Sequence, residues 1–290
     1  MKKQKLFENT VHGIFLILGL ITVGCVAVMT VYLIVSGIPA IKEIGIIDFL
    51  FGKEWASTAD EPKFGILPFI LTSIYGTAGA LLIGAPIGLL TALYLSKIAD
   101  KRVRLVMENA VDLLAGIPSV VYGLVGMLVL VPTVRKVFNV PDGASLLAAI
   151  AVLSVMILPS IIKVSVTALD AVPKEYEDAS LALGATPVET YFKVSVPAAK
   201  SGIAAAVVLG VGRAVGEAMA VIMVAGNAAN MPSLFGSVRF LTTAVAGEMS
   251  YSSPGSLQRN ALFSIALVLY LFILLINGAL NFFLKRDRSR

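Results

Sequence analysis

The sequence predicts an all-α, polytopic membrane protein, and three observations carry this prediction. Hydrophobic residues make up 58% of the 290-residue chain, and mean hydropathy is +0.91. Only 14% of the residues are charged, whereas soluble domains are about 45–50% apolar and about 25% charged. The third observation is a set of six apolar segments, each near the roughly 20 residues that a helix needs to cross a bilayer.

These segments give the expected order of spans and domains. The six spans are Val11–Val35, Ile66–Ser96, Leu113–Val131, Ala144–Leu169, Ser201–Asn227 and Ala261–Leu284. The first span resembles a signal peptide, but its apolar part is too long, so we interpret it as an uncleaved span. We expect an N-terminal helix and outer loop over residues 1–65, a transmembrane core over 66–284 with a cytoplasmic loop at 170–200, and a cytoplasmic tail over 285–290.

The distribution of basic residues indicates an orientation. Of the 23 Lys and Arg residues, 14 lie in the termini and in loops 97–104 and 170–200, whereas 7 lie in the other loops. Because cytoplasmic loops carry the excess of Lys and Arg, both termini are expected in the cytoplasm. The net charge of +5 is then explained by basic loops and does not indicate nucleic-acid binding.

The sequence contains no pattern that predicts catalysis. It has no phosphate-binding glycine loop ending in Gly-Lys-Ser/Thr and no cluster of metal ligands, so no cofactor or metal is expected in this chain. Any ATP hydrolysis must therefore take place in another subunit. The single cysteine, Cys25, excludes an intrachain disulfide and is expected to be a buried thiol, with lipidation as the alternative.

Two charges lie within the fifth apolar segment. Arg213 and Glu217 are four residues apart, and a continuous helix would place them on one face, about 18 Å and 24 Å above Ser201. Charges at membrane depth are costly and rare. A guanidinium suits phosphate oxygens, so we interpret Arg213 as attracting an oxyanion, with Glu217 moderating that attraction. The alternative is a buried ion pair that only fixes helix packing.

Small residues near these charges have predicted roles as well. Gly212 and Gly216 have the spacing that permits close approach of two helices. Ser119 and Ser160 each follow a proline inside a predicted span, where we expect kinks or hinges. Contact between these serines and a ligand is the alternative interpretation.

Two further charged residues border the predicted spans. Lys163 lies near the inner end of the fourth span, and we expect its long side chain to extend to the interface. Asp112 precedes the third span and is expected at the interface, with a gating contact as the alternative.

The 170–200 loop is the most polar of the inner segments. Pro173 is suited to the first turn of a helix, near which Glu177 is a favourable carboxylate. Gly184 is expected to end that helix in a left-handed conformation. A second short helix, Pro187–Val194, should end before Pro197. The pattern predicts a compact projection of two short helices, with an ordinary amphipathic interfacial loop as the alternative.

The spacing within this loop resembles that of bacterial ABC importer permeases, whose pattern is Glu-Ala-Ala, three residues, Gly, nine residues and Ile-x-Leu-Pro. The matching residues, without a gap in spacing, are Asp178, Ala179, Ser180, Gly184, Val194, Val196 and Pro197. The resemblance implies a type I ABC importer permease (MetI-like) fold with six transmembrane helices. It also implies that this loop, including Glu177, contacts an ATPase.

Three stretches further resemble the phosphate importer permeases, specifically their PstC-type subunit. These stretches are residues 113–124, 212–220 and 240–244, and the resemblance covers nearly the whole chain. It implies a second permease subunit, a dimer of cytoplasmic ATPases that use ATP, and an extracytoplasmic phosphate-binding protein. The implied role is half of a phosphate translocation pathway in the bacterial inner membrane, operated by alternating access.

Three alternatives are left open. A permease for another oxyanion, such as molybdate or sulfate, fits the same charged span. An ion-coupled carrier or channel without an ATPase would leave the pattern of the 170–200 loop without a purpose. A membrane scaffold that transports nothing would leave Arg213 and Glu217 unexplained.

Overall fold

The computed structural model describes the backbone of residues 2–288 and the side chains of residue 8, residues 10–279 and residue 282. Within this part the helices are α1 Lys2–Ile44, α2 Ile46–Phe51, α3 Leu67–Lys97, α4 Lys101–Gly116, α5 Ser119–Val125, α6 Val131–Phe138, α7 Leu146–Asp170, α8 Lys174–Ala182, α9 Pro187–Thr190, α10 Val196–Ala198, α11 Lys200–Gly216, α12 Met219–Val224, α13 Leu241–Glu248 and α14 Leu257–Arg288. Two π-helical segments, Gly126–Leu130 and Tyr191–Ser195, lie between α5 and α6 and between α9 and α10. The strands β1 Trp55–Ala56 and β2 Lys63–Phe64 pair antiparallel.

The predicted all-α, polytopic class is confirmed. Five helical stretches of the described chain have the length and hydropathy of membrane spans: Thr10–Ile44, Leu67–Lys97, Ser119–Phe138, Leu146–Asp170 and Leu257–Ala279. A sixth is added when Pro187–Ala198 and Lys200–Gly216, which meet at a bend of 73°, are counted as one broken span. The second and fourth of the predicted spans agree with α3 and α7 within three residues at each end.

The third span lies further along the chain than the predicted Leu113–Val131. Leu113 belongs to α4, which ends at Gly116, and the spanning helix begins only at Ser119. The break follows from Pro118, which lacks an N–H and forces the preceding residue out of the helical region. The two expected kinks therefore have different outcomes. The helix is completely broken before Ser119, whereas α7 continues through Pro159.

Three hydrophobic clusters follow one another along α3. The first surrounds Phe69 and joins the hairpin β1–β2 to α13 and the start of α14. The central cluster surrounds Ala80 and contains most of the buried residues of α7 and α12. The last surrounds Leu95 and joins α4 to the 170–200 loop. We name the two ends of the bundle the hairpin face and the loop face after these outer clusters.

On the hairpin face, one carboxylate gathers side chains from several elements. Glu248 accepts hydrogen bonds from Trp55 Nε1 at 3.0 Å, Ser57 Oγ at 3.0 Å and Gln258 Nε2 at 3.3 Å, and it forms an ion pair with Arg239. The Glu248 and Arg239 side chains are each 21% exposed. This cluster ties β1 to α13 and α14, so the hairpin is held against the bundle by a nearly buried charge pair.

The first helix packs mainly against α14 and leaves most of its surface uncovered by this chain. Ser264 Oγ donates to the carbonyl of Gly37 at 2.5 Å, and Thr30 and Tyr270 share a hydrogen bond of 2.9 Å. Cys25 is exposed on this helix, so the prediction of a buried thiol is wrong. The predicted tail begins inside α14, and residues 289 and 290 lie outside the described part.

Candidate functional site

Arg213 lies in the last turn of α11, beside a serine of α7. Its Nη1 atom donates a hydrogen bond to Ser160 Oγ over 3.3 Å, and its side chain is half-buried. Ser160 follows Pro159, which removes one N–H from the hydrogen-bond ladder of α7. The structure therefore brings together two of the four residues predicted for a substrate pathway, a permanent positive charge and a hydroxyl group.

Glu217 does not pair with Arg213, and the expectation that one continuous helix carries both charges on one face is wrong. α11 ends at Gly216, and Glu217 has the extended values φ −74° and ψ 126°, so the two charged residues do not share a helix face. Glu217 Oε1 instead accepts the N–H of Ala220 at 2.9 Å, in the first turn of α12. Its carboxylate thus satisfies an amide that the break leaves without an intrahelical partner. The predicted span Ser201–Asn227 is two helices.

The short helix α13 holds this break in place. Thr242 Oγ1 donates to the carbonyl oxygen of Glu217 at 2.8 Å. The N–H of Leu241 donates to Ser73 Oγ of α3 at 3.0 Å, which anchors the start of α13. Two of the stretches noted in the sequence, residues 212–220 and 240–244, are therefore in direct contact, and the hydrogen bond between them satisfies a carbonyl that the break leaves without an intrahelical partner.

The fourth predicted pathway residue, Ser119, is the first residue of α5. No hydrogen bond within the described part of the chain joins it to Arg213 or Ser160. Tyr122, one turn further along, donates its O–H to the carbonyl of Leu114 at 2.7 Å, which ties α5 to the end of α4.

The glycines beside Arg213 face open space in this chain. A Cβ atom added at Gly212 or Gly216 would have no atom of another element within 4 Å, so the expected close approach to a second helix is not made here. Elsewhere the fold does use such approaches, for example at Gly123, where the added Cβ would lie 2.8 Å from the backbone of Ala220. The Arg213 side of α11 is therefore uncovered by the rest of this chain.

The 170–200 loop forms the predicted pair of short helices bent at a glycine. Gly184 has φ +88°, so its left-handed conformation is confirmed. Thr186 caps α9 through a reciprocal capping box with Glu189, which fixes where the second helix begins. Ser180 and Thr190 share a hydrogen bond of 2.9 Å across the bend. The two halves of the loop therefore hold each other in one shape.

The second helix of this loop is longer than predicted. The helical backbone continues through the π segment Tyr191–Ser195 and α10 to Ala198, whereas the sequence predicted an end at Val194. Pro197 lies at the start of α10, directly after the π-helical segment, so the continuous helical stretch contains a residue without an N–H donor. Pro197, which was predicted to lie beyond the end of this helix, is therefore part of it.

Glu177 anchors the loop to the bundle. Its Oε1 accepts a hydrogen bond from Ser195 Oγ at 2.7 Å and lies 2.6 Å from Lys97 Nζ, at the end of α3. The side chains of Glu177 and Lys97 are only 17% and 10% exposed. Tyr191 O–H adds a bond of 3.3 Å to the Lys97 carbonyl. Sequence reasoning counted Lys97 only as an indicator of orientation, since its partner lies far away along the chain.

Apolar side chains are exposed on the outward surface of the 170–200 loop, among charged ones such as Lys193, which is 75% exposed. Leu183 is 90% exposed, beside Gly184, and Asp178, Ala179 and Pro197 are exposed as well. Four more large apolar residues are exposed on the loop: Tyr176, Leu181, Val188 and Phe192. Exposed apolar residues concentrated on one projection, rather than scattered, mark an interaction surface.

A bundle of membrane spans with a broken, charged helix and a two-helix loop at one face defines a multi-pass membrane permease of the type I ABC importer (MetI-like) fold. Among solved structures, the methionine ABC transporter MetNI in inward-facing conformations matches with a TM-score of 0.56 and 21% identity, over 77% of this chain and 94% of that chain. An amino acid ABC transporter solved with histidines matches with a TM-score of 0.54 and 20% identity, over 76% and 92% of the two chains.

The chain belongs to the family of binding-protein-dependent transport system inner membrane components, whose model matches residues 84–289. It is 43% identical to the probable ABC transporter permease protein YqgH of Bacillus subtilis (strain 168), over 89% of this chain and 86% of that protein. It is 31% identical to the phosphate transport system permease protein PstC of Mesorhizobium japonicum, over 94% and 88% of the two chains. It is 33% identical to the phosphate transport system permease protein PstC of Pasteurella multocida, over 77% of this chain and 75% of that protein.

Proposed function

We propose that this chain is one permease subunit of an ATP-driven phosphate importer and forms half of its translocation pathway. The observation that carries the proposal is the Arg213 guanidinium beside Ser160 on an uncovered side of a broken membrane helix. A guanidinium there offsets part of the cost of moving an anion through a low dielectric. The names of the relatives from Mesorhizobium and Pasteurella support phosphate as the substrate.

The pathway residues in this proposal are Arg213, Ser160, Ser119 and Glu217. Arg213 and Ser160 would contact the oxyanion, because a charged donor and a hydroxyl lie side by side. Glu217 would moderate the attraction of the anion indirectly, because it accepts the N–H of Ala220 at the start of α12 and so holds the break beside Arg213. Ser119 lines the pathway at the break before α5.

The partners follow from the uncovered surfaces. The open side beside Arg213 would face a second permease subunit, and the apolar 170–200 loop would dock on a cytoplasmic ATPase dimer that hydrolyses ATP. Glu177, Asp178, Ala179, Ser180, Gly184 and Pro197 are the residues that we assign to this docking. The loop face and both termini would lie in the cytoplasm, and an extracytoplasmic phosphate-binding protein would deliver the ion to the hairpin face. Alternating access would result from ATPase motion transmitted through the anchor of Glu177 on Lys97.

The proposal is tested by phosphate uptake into vesicles that contain the permease complex, with and without internal ATP. Arg213→Gln should abolish uptake while the complex still assembles, and Arg213→Lys should retain a fraction, because the charge remains but the two-pronged donor is lost. Arg135→Gln, on α6, is the matched control and should transport normally. Uptake by Arg213→Gln at the wild-type rate would refute the role of this residue.

The same vesicles distinguish the alternatives. Competition by sulfate or molybdate that exceeds competition by unlabelled phosphate would reassign the substrate to another oxyanion. Uptake that is independent of ATP but collapses with the proton or sodium gradient would indicate an ion-coupled carrier.

A further inference from the structure

The side of α7 that the rest of the chain leaves uncovered changes character at Ser160. In one half of the helix this side is apolar, with Val155 at its centre. From Ser160 towards the loop face it is polar, and the polar residues are Ser160, Lys163, Thr167 and Asp170. Their spacings of three, four and three residues place them on one face of the helix. A polar stripe therefore leads from Arg213 to the loop face.

Two ion pairs cross from this stripe to α4. Lys163 Nζ pairs with Asp112, and Arg104 Nη2 lies 2.6 Å from Asp170 Oδ2. Seven residues separate the two pairs along α7 and eight along the antiparallel α4, so they are about 11 Å apart. Between them lies a cavity of about 370 Å³ that is lined by all four of these charged residues and by Glu108.

The two cations in this cavity differ in how they are held. Arg104 is bound by two carboxylates, Glu108 through its Nε at 2.8 Å and Asp170 through its Nη2 at 2.6 Å. Lys163 pairs with Asp112 alone in the described part of the chain, and the side chains of this pair are 48% and 59% exposed. Ion pairs that are this exposed contribute little to stability. Exchanging the carboxylate on Lys163 for another anion is therefore inexpensive.

We propose that Lys163 is a second oxyanion site, one helical turn from the contact between Arg213 and Ser160 and towards the loop face. The Asp112 carboxylate pairs with the Lys163 ammonium when no oxyanion is bound, and an arriving oxyanion displaces it. The inference rests on the proposed function, because the ligand is the same ion. It adds a relay step through which the ion leaves Arg213 for the loop face.

The charge balance of the cavity suits a step of release. Its lining has two cations, Arg104 and Lys163, against three carboxylates, so a bound anion is repelled as well as attracted. Transport requires sites that bind weakly enough for the ion to leave. Asp112 competes directly for Lys163, and its removal should make the site bind more tightly and release more slowly.

The test uses a cysteine at the position of the lysine. Cys25 is the only native cysteine and is exposed on α1, so Cys25→Ala provides a background that should transport normally. In that background, Lys163→Cys should reduce phosphate uptake at least tenfold. Aminoethyl methanethiosulfonate, which attaches a primary amine, should restore uptake, whereas the neutral methyl reagent should not.

Binding is measured separately from transport by protection of a reporter cysteine at Thr167, which lines the same cavity and leaves Lys163 intact. In the Cys25→Ala background, inorganic phosphate should slow labelling of Thr167→Cys, and adding Asp112→Asn should lower the phosphate concentration that gives half protection. Leu113→Cys, which lies on α4 beside Asp112 and is 74% exposed, is the control and should be labelled equally with and without phosphate.

The outcomes separate this inference from the proposed function. Equal labelling of Thr167→Cys with and without phosphate, or rescue of Lys163→Cys by the neutral reagent, would overturn the second site. If the wild type transports phosphate, Arg213→Gln does not, and Lys163→Cys transports normally, only the relay inference fails. If the wild type transports no phosphate, the proposed function itself fails, and the relay with it.

Discussion

Replacing Glu248 by alanine should destabilise the hairpin face strongly. The substitution removes the acceptor for Trp55, Ser57 and Gln258 and leaves Arg239 as an unpaired charge that is only 21% exposed. Breaking a buried ion pair from one side costs about 3–5 kcal/mol, and the partial exposure of this pair favours the lower limit. We expect a loss of about 3 kcal/mol, which is roughly a 150-fold change in the unfolding equilibrium.

The loss is measured as the shift in unfolding midpoint when the purified chain is titrated with SDS in mixed micelles, with tryptophan fluorescence as the signal. Trp55 is the only tryptophan and contacts Glu248 directly, so the signal reports on the hairpin face itself. Glu248→Gln should lose less stability than Glu248→Ala, because the amide still accepts hydrogen bonds. The double variant Arg239→Gln, Glu248→Gln should lose less than the two single losses added together, since neither charge is left unpaired.

A surface pair provides the control for the titration. Glu54 and Lys63 form an ion pair at the hairpin, but their side chains are 68% and 57% exposed. The Lys63 ammonium, through its hydrogen bond and charge, lowers the pKa of Glu54 below its ordinary value. Such an exposed contact contributes little to stability. Glu54→Gln should leave the midpoint unchanged at neutral pH. A midpoint shift in Glu248→Ala that is no larger than in Glu54→Gln would refute the reasoning.

Two further predictions concern a glycine and the anchor of the 170–200 loop. Gly143→Ala should destabilise the chain by about 3 kcal/mol, because its Cβ would lie 1.8 Å from the Val131 carbonyl oxygen, which belongs to the backbone and cannot turn away. Gly19→Ala, whose Cβ meets nothing within 4 Å, should cause no loss in the same titration, and equal losses would contradict this account. Glu177→Gln should increase cleavage of the loop by added protease about tenfold, because the loop loses its charged contact with Lys97; unchanged cleavage would show that this contact does not hold the loop.

The sequence predicted the elements that depend on local chemistry or on hydropathy. Spans α3 and α7 are continuous apolar runs, and their bounds were predicted closely. Gly184 was predicted in a left-handed conformation, because a glycine after a run of good helix formers is the usual end of a helix. Arg213 was singled out for its cost at membrane depth, and the structure places it within hydrogen-bond distance of Ser160.

Features that depend on distant residues were not predicted. The break at Glu217 lies within an apolar run, so hydropathy does not reveal it. The carbonyl of Glu217 that the break leaves free accepts a hydrogen bond from Thr242, 25 residues away. The pair of Lys163 and Asp112 joins helices that are separated by two breaks in the chain. Local sequence patterns do not reveal these pairings. The position of Glu217 was therefore predicted from a continuous helix, whereas α11 ends at Gly216.

The two ends of α13 have different attachments, and this has a mechanical consequence. Thr242, near its start, bonds to the backbone at the break in α11–α12, and Glu248, at its end, is the centre of the charged cluster on the hairpin face. Six residues of helix, about 9 Å, separate these points. A helix of this length would transmit an axial displacement without shortening. A displacement of the hairpin would therefore shift the carbonyl of Glu217, and with it the helix end that carries Arg213.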